Sequence, residues 1–231
     1  MQLSGKVAIV TGGGSGIGLA IAHAFVDAGM GVAICGRDQS RLERAAEELH
    51  GNVIPVACDV TDENQVSALV ELAVTRFGHL DVLVNNAGKA AFGNVADLAV
   101  ERWDRVQAVN VRGAFLCARA AWPHLTAAGE GYVFNISSIA GKEGFGGAAA
   151  YATSKHALMG FSESLREEGI PVGIKVSAIC PGYVDTAMTA KADVPPEAMI
   201  RPHDIAATCV YLLGLSPMAC VPEVVMRRMA L

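Results

Sequence analysis

Tyr151 and Lys155 lie four residues apart, and Ser138 lies thirteen residues before the tyrosine. On a helix, residues four apart share one face. A free tyrosine titrates near about 10, too high for acid-base work at neutral pH. A fixed ammonium nearby favours the phenolate and is expected to bring that value down. A phenol tuned in this way can give and take a proton. The bland alternative is a helix with a packed tyrosine and an exposed lysine. The elements around the pair decide between the two.

The chain has 231 residues, enough for one large α/β domain with a buried core. Its net charge of -5, with no basic block, argues against a nucleic-acid surface. No apolar run reaches the roughly 18 residues of a membrane span. No basic stretch followed by an apolar one opens the sequence, so no leader is expected. The six cysteines are scattered singly and form no metal spacing, which points to reduced thiols and a cytoplasmic protein. The histidines have no ligand partners in the sequence, and no metal is expected.

Short apolar runs alternate with helical periodicity from end to end. Val7-Ala8-Ile9-Val10 ends in a glycine loop with Gly12, Gly16 and Gly18, and a helix follows. Further strands are expected at residues 32–35, 53–57, 80–84, 132–136, 172–179 and 221–227. Between them, Asp38 is expected to cap one helix and Thr61 to open another. A long helix is expected over residues 100–128, with a bend near Pro123. The Tyr151 helix extends to about residue 168, and a last one covers 204–215. Near-continuous apolar strands alternating with helices predict a Rossmann-type, doubly wound parallel sheet of seven strands, with helices on both faces. Residues 1–231 read as one domain. In that setting the glycine loop lets the backbone approach a pyrophosphate, with a helix N-terminus facing it.

With these motifs in order, the chain resembles the short-chain dehydrogenase/reductase family. The likeness is to its short single-domain branch, including 3-oxoacyl-acyl-carrier-protein reductase-like and carbonyl reductase-like members. Thr11-Gly12-Gly13-Gly14-Ser15-Gly16-Ile17-Gly18 matches the cofactor loop. Asp59-Val60 matches the pair that holds the adenine. Asn85-Asn86-Ala87-Gly88 matches the segment lining the cofactor groove. Pro181-Gly182-Tyr183-Val184-Asp185-Thr186 matches the segment at the nicotinamide end. Asn110, Ser138, Tyr151 and Lys155 match the catalytic residues.

The resemblance implies hydride transfer between a nicotinamide and a carbonyl or alcohol carbon. Tyr151 would be the general acid or base. Lys155 would lower its pKa and bond the nicotinamide ribose. Ser138 would hold the substrate oxygen, and Asn110 would open the long helix around a proton-relaying water. NADP(H) is expected over NAD(H), because Gly36 follows the second strand where a carboxylate would repel a 2'-phosphate. Arg37 comes next and could pair with that phosphate. Substrate contacts are expected from residues 90–95, 140–147 and 187–196, whose Ala, Gly, Phe and Met suggest a small or medium, apolar, uncharged carbonyl or alcohol. Family members commonly pair their long helices, so a homotetramer or dimer is expected, with Ala120, Ala121, Ala157, Phe161 and Leu165 as seam candidates. A regulatory NAD(P)-binding scaffold, or an isomerase or dehydratase on the same residues, is the alternative.

Overall fold

The computed structural model describes residues 3–190 and 192–229. Seven parallel strands lie in the order β3-β2-β1-β4-β5-β6-β7. They are β1 (Val7–Thr11), β2 (Gly31–Gly36), β3 (Val53–Ala57), β4 (Val82–Asn85), β5 (Tyr132–Ile136), β6 (Lys175–Pro181) and β7 (Glu223–Met226). The helices between them are α1 (Gly16–Asp27), α2 (Gln39–Leu49), α3 (Glu63–Phe77), α4 (Val100–Gln107), α5 (Gly113–Ala127), α6 (Ala149–Gly169) and α7 (Pro202–Leu213).

The sheet is covered on both sides, so its central strands are largely apolar and buried, with polar residues such as Asn85 and Asn135 toward their carboxyl ends. Along β1, Ala8 and Val10 enter one core with α1, α2 and α7, while Val7 and Ile9 enter the other with α3 and α5. This is the two-residue alternation of a strand between two helix layers. Strand order reverses on either side of β1, which leaves a crevice beyond the carboxyl ends of β1 and β4, where doubly wound sheets bind ligands.

The expected long helix is interrupted, but not at Pro123, which sits inside continuous α5. The break is a π turn at Ala108–Arg112. Asn110, in its middle, accepts from the Lys89 N–H at 2.7 Å and donates to the Lys89 carbonyl at 2.8 Å. A side chain tied across to a neighbouring loop favours that wider turn. The helix expected to open at Thr61 starts instead at Glu63, because Asp62 caps it through the Asn64 and Gln65 N–H groups. β6 begins later than expected. Residues Ile170–Val172 form a short 3-10 turn, closed by Gly173 in the left-handed region. Ala121 and Leu165, offered for a subunit seam, are packed in the α3–α5 core instead.

Asp81 ties the start of β1 to β4. It is 2% exposed and accepts from Lys6 Nζ at 2.8 Å and the Val7 N–H at 2.8 Å, with His79 Nε2 3.0 Å from its second oxygen. Asp81→Asn replaces one acceptor oxygen with a donor facing these donors. It is expected to cost about 2–3 kcal/mol, or roughly 5–10 °C in Tm. A melting scan that shows no change would contradict this anchoring role.

Candidate active site

The carboxyl ends of β1, β4, β5 and β6 converge on a cleft of about 540 Å³. The glycine loop forms one wall. Gly12 and Gly16 have φ of 66° and 54°, in the left-handed region that favours glycine. A Cβ on Gly18 would stand 2.3 Å from the Gly12 carbonyl oxygen, so the loop can fold onto the start of α1 only without one. Thr11 and Asn86 fix the loop against the end of β4. Thr11 Oγ1 accepts from the Asn86 and Ala87 N–H groups, both at 3.0 Å, and donates to the Val84 carbonyl. Asn86 Nδ2 returns a bond to the Thr11 carbonyl at 2.8 Å.

Gly12, Ser15, Gly16, Ile17, Asn86, Ala87, Gly88, Ser138, Tyr151, Lys155, Pro181, Gly182, Val184 and Thr186 all border this cleft. The other expected residues stand behind or beside it. Gly14 turns toward Leu42 and Arg41 of α2. Arg37 follows the last residue of β2. Asp59 and Val60 follow β3, where the Cys58 N–H reaches the Gly36 carbonyl at 2.7 Å. Asp59 accepts from Thr61 through both its N–H and its hydroxyl, and from Arg105 at 3.0 Å. These bonds outweigh partial burial and hold its carboxyl down to about 2.

The adjacent serines do different work. Ser137 Oγ donates to the Lys155 carbonyl at 3.2 Å and braces α6. Ser138 begins the 3-10 turn Ile139–Gly141, accepting from the Ala140 N–H at 3.1 Å. Its own proton goes to the Pro181 carbonyl at a long 3.4 Å. The Ser138 side chain also stands beside the Tyr151 phenol and favours its charged form.

Tyr151 and Lys155 both project from α6 to the cleft, as their spacing requires, with Lys155 Nζ 5.7 Å from the tyrosine ring. The electrostatics differ from the expectation. Burial raises the Tyr151 phenol, and the Ser138 side chain offsets only part of this. Burial also pushes Lys155 down to about 8. Lys155 is 5% exposed and donates at 2.7 Å to the Ile136 carbonyl. Within the chain's own groups the lysine therefore does not lower the phenol, because desolvation of both dominates.

Asn110 lies one layer below. Besides Lys89, its Nδ2 donates at 2.9 Å to Ser154 Oγ, which in turn donates to the Tyr151 carbonyl at 2.7 Å. Ser154, which the motifs left unassigned, thus links the π turn to the tyrosine's backbone. A cavity of about 10 Å³ borders Asn110 and Asn85, room for about one water. Asn85 Oδ1, buried there, has no partner among the described residues.

A second recess of about 650 Å³ opens from Ser138, Tyr151 and Gly182. Phe92, Phe145 and Met188 contribute to its lining, so all three segments expected to touch substrate reach it. Lys191, in the third segment, lies outside the described residues. The carboxyl-terminal tail braces this region. Lys142 pairs with Glu223 at 2.9 Å, Glu143 pairs with Arg227, and the Gly182 N–H donates to the Met226 carbonyl at 2.8 Å. Among the described residues, no group of three or more His, Cys, Asp or Glu could hold a metal, and no helix is long and apolar enough to cross a membrane.

The family model for short chain dehydrogenases matches residues 6–196. The chain belongs to this family, and it is an oxidoreductase of the short-chain type. It is 35% identical over 226 residues to an uncharacterized oxidoreductase of Staphylococcus aureus, covering 97% of this chain and 98% of that one. A Staphylococcus epidermidis uncharacterized oxidoreductase is 34% identical over 222 residues, with 96% of each covered. Among solved structures, a 3-ketoacyl-(acyl-carrier-protein) reductase from Brucella melitensis, complexed with NADH, superposes with a TM-score of 0.92 at 31% identity, covering 97% of this chain and 98% of that one. A short-chain type dehydrogenase/reductase from Mycobacterium marinum gives 0.90 at 29%, covering 98% of this chain and 95% of that one.

Proposed function

We propose that this chain is an NAD(P)(H)-dependent oxidoreductase acting on a small or medium, largely apolar carbonyl or alcohol. The observation that carries the reading is the meeting of Ser138, Tyr151 and Lys155 where the glycine-walled cleft joins the apolar recess. The loop fits a dinucleotide, since its walls stand where side chains would otherwise fill the space. Gly12, Ser15, Gly16, Ile17, Ala87, Gly88, Val184 and Thr186 would hold it. Bound there, the nicotinamide supplies or accepts the hydride.

In reduction, Tyr151 gives its proton to the substrate oxygen, and in oxidation it takes that proton back. Burial keeps the phenol protonated at neutral pH in the cofactor-free protein, which is the form that gives the proton in reduction. Ser138 exchanges its long bond to Pro181 for one to the substrate oxygen, where charge develops. Lys155 would hold the ribose hydroxyls, and the Tyr151 proton would be replaced by way of Lys155 and the water-sized cavity at the opened helix beside Asn110. Absorbance at 340 nm, followed with NADPH and NADH over a panel of ketones and aldehydes, tests the reading. Tight cofactor binding with no turnover across the panel would favour a regulatory protein instead.

NADPH is the preferred cofactor in this reading. Gly36 leaves the end of β2 open, with Leu42 Cδ2 3.7 Å from where its Cβ would stand. Asp38, the nearest carboxylate, is occupied as the cap of α2, accepting from the Arg41 N–H at 3.1 Å and from Ser40 Oγ at 2.8 Å. Arg37, next after Gly36, would meet a 2'-phosphate; the Arg41 side chain runs beside Gly14, with its guanidinium 3.7 Å from Asp38. Arg37→Ala is expected to lower kcat/KM for NADPH at least tenfold while that for NADH changes little, from a charge-assisted bond of about 1.5–3 kcal/mol. A parent enzyme that prefers NADH would overturn the assignment.

The chain acts as one cytoplasmic domain that assembles with itself as a tetramer or dimer. Phe115 and Phe161 stack edge-on at 6.4 Å beside exposed Ala157, which supports a seam on α5 and α6. A monomer mass by light scattering at micromolar concentration would contradict assembly.

A further inference from the structure

One part of the lining of the apolar recess is aromatic. The Phe92 and Phe145 ring centroids are 6.4 Å apart with 27° between their planes, and Phe92 lies 5.9 Å from the Tyr151 ring. Three rings therefore run in sequence and end on the proposed proton donor. The rest of the lining includes Ala187, Met188, Thr189 and Ala190, mostly small side chains with one flexible thioether.

Neither phenylalanine belongs to a hydrophobic core among the described residues, and they are 49% and 51% exposed. They are nevertheless held in register. Phe92 lies in the loop after β4 and Phe145 in the loop before α6, and the Gly93 N–H donates to the Gly147 carbonyl at 2.8 Å, tying the two loops together. The Arg102 guanidinium reaches the Phe92 carbonyl at 3.4 Å, and the Ala148 N–H reaches the Phe145 carbonyl at 3.2 Å. Two half-exposed rings, stacked on each other and held on braced loops outside the packed cores, are a prepared aromatic surface. No charged side chain lines the recess among the described residues.

We infer that the recess selects carbonyl compounds with an aromatic ring on the carbonyl carbon, and that Phe92 and Phe145 are the residues that determine this preference. The inference rests on the oxidoreductase reading and narrows it to aryl ketones and aldehydes. A flat ring can stack or stand edge-on against the aromatic rim, at the 4.5–7 Å such pairs favour. Met188, in the same lining, offers a thioether, a favourable contact for an aromatic ring. A saturated ring of the same size buries similar area but has no quadrupole. Each aromatic contact is therefore expected to add about two- to tenfold in preference beyond burial.

The test pair is acetophenone and cyclohexyl methyl ketone, which share a skeleton and differ in ring unsaturation. Their kcat/KM ratio is measured in the parent, in Phe92→Leu and in Phe145→Leu, so that intrinsic reactivity cancels between variants. The aryl-to-saturated ratio should fall at least threefold in each variant, while the dissociation constant for NADPH stays within about twofold. Independently, calorimetry with NADP⁺ present, where neither ketone can be reduced, should show acetophenone binding at least fivefold tighter to the parent. Unchanged ratios in both variants, or equal binding of the two ketones, would overturn the inference even if both are turned over. Preferential aryl binding with no reduction of any carbonyl would uphold it and sink the oxidoreductase reading instead.

Discussion

Tyr151→Phe is expected to lower turnover by about 10²–10⁴-fold, the usual worth of a positioned general acid. The phenylalanine ring keeps the contact with Phe92 at 5.9 Å, so the wall of the recess survives. What disappears is one hydroxyl, kept protonated by its burial. Because the phenol would act in the chemical step alone, the dissociation constant for NADPH should stay within about threefold. Stopped-flow single turnovers and fluorescence titration of the same preparation separate the two effects. Turnover within a few-fold of the parent would remove Tyr151 from the proton-transfer role.

The path from sequence to this site was legible where the signal was local or periodic. A parallel sheet covered on both faces favours near-continuous apolar strands, and the runs at β3 and β5 mark those strands to the residue. The glycine loop and the Tyr151–Lys155 pair were legible because one strand and one helix set their geometry. Contacts between a side chain and a distant backbone carry no such pattern. Nothing periodic marks the bonds from Asn110 to Lys89, twenty-one residues earlier, so periodicity and the proline point to a bend at Pro123, and only the family resemblance points to the opening at Asn110, where the π turn lies. The clamp by Thr11 and the link through Ser154 are of the same kind. Charge proximity also misled. Tyr151 and Lys155 were rightly placed on one face, but the sign of the phenol's shift depends on how much water reaches it, which spacing does not encode. The ion pairs of the tail with Lys142 and Glu143 span about eighty residues, and opposite charges that far apart are common by chance.

Lys155→Met is expected to pull activity and stability in opposite directions. Methionine is close to lysine in length and has no charge. Without the ammonium, ribose binding and proton replacement at Tyr151 both suffer, so cofactor affinity and turnover should each fall at least tenfold. The fold, however, should gain. The Lys155 ammonium is 5% exposed, and its hydrogen bond is to a single carbonyl, that of Ile136. Burial lowers its pKa from 10.5 to about 8. Between those two values the unfolded chain holds a proton that the folded one has released, so parent stability rises with pH across this window. Below about pH 8 both states are charged, and the folded one bears the full desolvation cost, on the order of 3 kcal/mol. The variant avoids that cost and loses one hydrogen bond of about 1 kcal/mol. In cofactor-free protein at pH 7 its Tm should therefore exceed that of the parent by roughly 4–8 °C. The gap should narrow as pH rises from 8 toward 10.5 and the parent lysine sheds its proton. Saturating NADPH should also narrow it, because the parent alone retains tight binding. A variant less stable than the parent at pH 7 without cofactor, or a gap that widens with pH, would show that the lysine is not buried at a cost.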